Sequence, residues 1–75
     1  MRTEEEILKD FRILGYKVRE NNSKRLKLQV SDYTIDISKI NRVYRCYLED
    51  EETICCIELE EHTLIHELFK CWGWL

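Results

Sequence analysis

Residues 60–75, EEHTLIHELFKCWGWL, decide how the rest of this chain must fold. Leu64, Ile65, Leu68, Phe69 and Trp72 recur at the spacing that draws one apolar stripe along an α-helix. Such a stripe needs a second layer to cover it, and a sheet is the expected cover. Full burial of each of these side chains is worth roughly 1.5–3 kcal/mol, so the five together supply on the order of 10 kcal/mol gross. A chain of 75 residues lies near the lower size at which one core suffices without a metal, a disulfide or a partner, so the fold depends on this helix.

Upstream, Thr3 and Glu6 have the form of a capping box, and Glu4 and Glu5 add negative charge where a helix start favours it. Ile7, Leu8, Phe11 and Leu14 share one face, and Gly15 stands where a left-handed residue ends a helix, which predicts a helix over about 4–14. From Tyr16 the period changes to two. Tyr16 and Val18 alternate with Lys17 and Arg19; Leu26, Leu28 and Val30 with Arg25, Lys27 and Gln29; and Tyr33, Ile35 and Ile37 with Thr34, Asp36 and Ser38. Asn21-Asn22-Ser23 and Ser31-Asp32 supply the turns. Two further strands are expected over about 42–48 and 53–59, around a four-residue acidic turn, Glu49-Asp50-Glu51-Glu52. That register sets Leu48 opposite Thr53, Cys46 opposite Cys55 and Tyr44 opposite Ile57, and leaves Val43, Arg45, Tyr47, Ile54, Cys56 and Glu58 on the other face. The expected fold is α+β: a single domain over residues 1–75, α-β-β-β-β-β-α, an antiparallel meander of about five strands with both helices on one face.

With 44% hydrophobic and 36% charged residues, the composition is that of a folded protein, without repeats or low-complexity segments. Apolar runs fall far short of the roughly 20 residues that span a bilayer, and the RTEEE after Met1 is too acidic for a signal peptide. The expected location is the cytoplasm, with no membrane partner. There the four cysteines are expected as reduced thiols, since Cys46, Cys55, Cys56 and Cys71 form no CxxC pair. The net charge of −3 conceals an asymmetry: residues 1–45 hold 11 Lys+Arg against 7 Asp+Glu, and residues 46–75 hold 1 against 8. Solvated faces account for this; so does steering of partners of opposite charge to opposite ends.

Few constellations carry chemistry. His62 and His66 have the i, i+4 spacing of a metal pair, but HTLIHE lacks the glutamate of an HExxH site and no third ligand is indicated, so no metal and no cofactor are expected. Adjacent strand residues such as Cys55 and Cys56 point to opposite faces, and no glycine loop accompanies them to form an oxyanion hole. With no phosphate-cradling loop, nucleophile elbow or coupled carboxylate pair, the chain reads as a non-enzyme. Lys17, Arg19, Arg25, Lys27 and Arg45, with Tyr47 beside them, offer a basic sheet face for nucleic acid, although the aromatic pattern of an RNA-binding sheet is absent. Glu49, Asp50, Glu51 and Glu52 offer carboxylates to a basic protein groove, or simply a solvated turn.

The capped first helix running into GYKV, the meander, the acidic hairpin and the FKCWGW helix end resemble, in their order along the whole chain, small accessory proteins of phages and mobile elements, some anti-CRISPR inhibitors among them. The resemblance implies a non-enzymatic inhibitor that binds a nuclease complex, in several such families through acidic side chains that displace DNA. The basic half of this chain departs from a pure DNA mimic. The leading expectation is therefore a protein-binding inhibitor acting through the acidic hairpin, and the second is a nucleic-acid-binding sheet. Val43, Tyr47, Ile54 and Cys56, with Tyr47 adjoining Ile54, further predict an apolar patch that pairs as a homodimer, unless Trp74 and Leu75 cover it.

Overall fold

All 75 residues are described by the computed structural model, in the order α1 (Glu4–Ile13), β1 (Lys17–Asn21), β2 (Arg25–Val30), β3 (Tyr33–Ser38), β4 (Val43–Leu48), β5 (Glu51–Thr53) and α2 (Leu59–Cys71). The five strands form one antiparallel sheet in meander order, β1-β2-β3-β4-β5, so the α+β class and the element order are those the sequence predicts. Contacts group the chain into two units, Met1–Gly15 with Cys56–Leu75, and Tyr16–Cys55.

The first unit is a helix pair. Thr3 Oγ1 accepts from the Glu6 N–H at 3.3 Å while the Glu6 carboxylate accepts from the Thr3 N–H at 3.1 Å, completing the capping box. Ile7, Leu8 and Phe11 of α1, and Leu64, Ile65 and Leu68 of α2, are buried. Arg2 forks between Asp10 of α1 and Glu67 of α2, and Trp72 Nε1 donates to Glu4 at 2.8 Å, so the end of α2 lies by the start of α1 and the helices run antiparallel. Helix α2 ends in a Schellman motif: the Gly73 N–H (φ +78°) donates to the Lys70 carbonyl at 3.0 Å and the Trp74 N–H to the Phe69 carbonyl at 2.8 Å. This turn carries Trp74 back onto Phe69 and Trp72, with ring centroids 5.0 and 4.9 Å apart. Phe69 and Trp72 are therefore only half-buried, in an aromatic cluster at the helix end, and not fully buried as the stripe suggests.

In the sheet unit, Leu26, Leu28, Ile35, Ile37 and Cys46 occupy the buried face, as strict alternation requires. Strand β1 carries a bulge: Val18 pairs with Leu28 and Glu20 with Lys27, leaving Arg19 as the extra residue. Asn22 closes the β1–β2 turn, its Oδ1 accepting from the Lys24 and Arg25 N–H groups at 2.8 and 3.0 Å.

The last hairpin differs from expectation. Glu49 takes φ +56°, and a two-residue turn, Glu49-Asp50, pairs Leu48 with Glu51, Tyr47 with Glu52 and Cys46 with Thr53. A positive φ at the first turn residue matches the twist of tight hairpins, and acidic residues alone gave no signal for it. The shift of two residues preserves the faces but moves the strand from 53–59 to Glu51–Thr53. Tyr47 consequently faces Glu52 rather than Ile54, which lies beyond the strand and is 83% exposed. The cysteine expectation is corrected as well: Cys46 and Cys55 form a disulfide, with Cα atoms 5.1 Å apart, while Cys56 and Cys71 stay outside it. A hairpin brings together cysteines nine apart, which no test for CxxC detects.

Candidate functional site

A meander sends alternate turns to the same end of the sheet, and here that rule sorts charge. The Ser31-Asp32 and Glu49-Asp50 turns are neighbours, joined by a hydrogen bond from the Glu49 N–H to the Asp32 carbonyl at 2.8 Å. Asp32, Glu49 and Asp50, all exposed, thus gather at one end of the sheet. The other end carries the β1–β2 and β3–β4 turns with Lys24, Lys39 and Arg42, joined by a hydrogen bond from the Lys39 N–H to the Lys24 carbonyl at 2.8 Å.

Of the four acidic residues expected to act together, only Glu49 and Asp50 form the tip. Glu52 stands on the polar face with its carboxylate 3.7 Å from Arg45 Nε, and Glu51, opposite Leu48, belongs to the other face. Their replacement is Asp32, whose part in the cluster is legible only once the topology sets its turn beside the hairpin. The charges of Glu51 and Glu52 also blunt an exposed edge strand against further pairing.

The polar face holds the basic residues the alternation assigns to it, and two of them, Arg25 and Arg45, are paired with the carboxylates of Asp36 and Glu52. Arg19, Arg25, Lys27, Gln29, Thr34, Asp36 and Tyr47 line a shallow hollow of about 600 Å³ that reaches the acidic end. Asp36 lies at its centre, opposite Lys27 on one side and Arg45 on the other, with Oδ1 3.2 Å from Arg25 Nε. That oxygen is out of contact with solvent and forms no aligned hydrogen bond, so its compensation is the ion pair itself. Arg19 Nε donates to Gln29 Oε1 at 2.6 Å, a contact the bulge permits, and Lys17 is exposed beside Gln29 on β2. Sequence reasoning passed over Asp36 because cross-strand neighbours appear only with the register.

No family model, curated protein or solved structure matches this chain. The remaining candidates are positioned as follows. His62 and His66 are neighbours on α2, with ring centroids 5.5 Å apart, and no group of three or more His, Cys, Asp or Glu side chains is placed to hold a metal ion. Of the expected dimer patch, Val43 and Tyr47 share the polar face of β4, whereas Ile54 and Cys56 sit on the exposed segment after β5. The four are not the adjoining set that the expected register gave. No helix is long and apolar enough to cross a membrane.

Proposed function

We propose that this chain is a non-enzymatic protein-binding module whose contact surface is the acidic end of the sheet. Its partner is a protein with a basic, nucleic-acid-handling surface, which the chain inhibits by occupying that surface. One observation supports the reading: the Glu49–Asp32 hydrogen bond draws two acidic turns into a single cluster, with cations at the opposite turns. A field so divided orients an approaching basic protein and accelerates its capture. The resemblance to mobile-element inhibitors favours a nuclease complex as the partner. A second reading, nucleic acid on the polar sheet face, is favoured by the convergence of Arg19, Arg25, Lys27 and Tyr47 on one hollow. It is weakened by the engagement of Arg25 with Asp36 and Arg45 with Glu52.

Co-purification from the native cell, quantified by mass spectrometry, tests both. The triple variant Asp32→Asn, Glu49→Gln, Asp50→Asn should keep its circular dichroism, since exposed charges contribute about 0–1 kcal/mol. Partner recovery should fall about tenfold or more. Undiminished recovery by that variant removes the acidic end from the assignment. Recovery that disappears on nuclease treatment transfers it to the polar sheet face.

A further inference from the structure

The helix pair carries a surface of its own. Ile13 on the last turn of α1 and Leu59 at the start of α2 are 75% and 76% exposed. With Leu14 and Leu64 they form an open, mainly apolar cleft of about 420 Å³ between the two helices. Its polar lining is Asp10, Glu60 and Thr63, and no Lys, Arg or His side chain lines it. Asp10 is already ion-paired with Arg2, so Glu60, exposed at the start of α2, is the rim carboxylate that carries the cleft's charge.

We propose that this cleft docks an amphipathic helix of another protein, one with aliphatic anchors at i, i+3 or i+4, and i+7, and with Lys or Arg on the flanking positions. A trough between two antiparallel helices accepts the ridge of a third, and the recognition mode is that of an apolar helix face laid in a groove. Charge selects the occupant. A second copy docking through the same cleft would bring Glu60 towards its own counterpart, whereas a cationic helix meets it with opposite sign.

Fluorescence anisotropy with labelled synthetic peptides of about 18 residues tests this, that length giving about five helical turns. The probes are an amphipathic helix with leucine anchors and lysine flanks, the same helix with glutamate flanks, and a scrambled sequence of the lysine peptide. The lysine helix should bind the intact chain about tenfold or more tighter than either control. Ile13→Lys and Leu59→Lys, at exposed positions that leave the fold intact, should abolish the preference, and Glu60→Lys should reduce it. The triple variant at the acidic end of the sheet should bind this peptide as the parent does, which separates the two surfaces. Equal binding of the scrambled or glutamate peptide overturns the proposal. So does a dimer of the chain alone, seen by sedimentation and dissolved by Ile13→Lys, since the cleft is then filled by a second copy.

Discussion

Glu6 shows how one carboxylate carries a helix start. It accepts from the Thr3 N–H at 3.1 Å and from Thr3 Oγ1 at 3.0 Å, and these bonds, the backbone one first, hold its pKa below the ordinary 4.5. A carboxyl whose pKa is lowered on folding contributes stability that is fully present above its unfolded pKa and lost as pH falls through the lowered one. The expected consequence is a stability difference between the parent and Glu6→Gln that is full near neutrality and shrinks as pH falls below the ordinary glutamate pKa and through the lowered one. Thermal melts of both proteins across the acid range measure it. A difference that stays constant with pH would show that the bonds do not depend on ionisation. Arg2 obeys the mirror-image rule: its bonds to Asp10, then to Glu67, raise a pKa already far above neutrality, so its charge is constant over any working pH.

At the scale of elements, the hairpin β4–β5 separates what is legible in sequence from what is not. Capping residues, the apolar stripes, Gly15 and the two-residue alternation of β2 and β3 are local signals, and α1, β2 and β3 fall where those signals place them. The hairpin register depends on the backbone angle of Glu49, for which glutamate carries no preference, and β5 begins at Glu51 because the turn takes only two residues. The bulge at Arg19 and the Asp36 ion pair are likewise facts of register. The disulfide lies between these cases: alternation places Cys46 and Cys55 on one face, but the observed register sets Cys46 opposite Thr53, and the bond depends on the distance between backbones. It closes a loop over a separation of nine residues. Loop-closure entropy then gives it a contribution of about 2–3 kcal/mol. Urea denaturation with and without dithiothreitol should show that loss on reduction, and the double variant Cys46→Ser, Cys55→Ser should be indifferent to the reductant. Equal midpoints for the oxidised and reduced parent would mean that the hairpin holds itself closed without the bond.

Across the whole molecule, the question raised by two contact units is whether they unfold as one. The unit Met1–Gly15 with Cys56–Leu75 has 35 residues and Tyr16–Cys55 has 40. Chains below about 40 residues rarely fold alone without a covalent or metal staple. The helix pair has no disulfide, and the sheet has one. Nature has also labelled the two differently: Trp72 and Trp74 belong to the helix pair, and Tyr16, Tyr33, Tyr44 and Tyr47 to the sheet. Tryptophan emission and tyrosine absorbance therefore report separately on the two units within one urea titration. We expect coincident transitions with a slope of about 1 kcal/mol/M, the value of a small domain that loses its core in one step. Preliminary reduction of the disulfide should move both midpoints together. Tyrosine signals that outlast the tryptophan transition would overturn the expectation, because the stapled sheet would then be the part that stands alone.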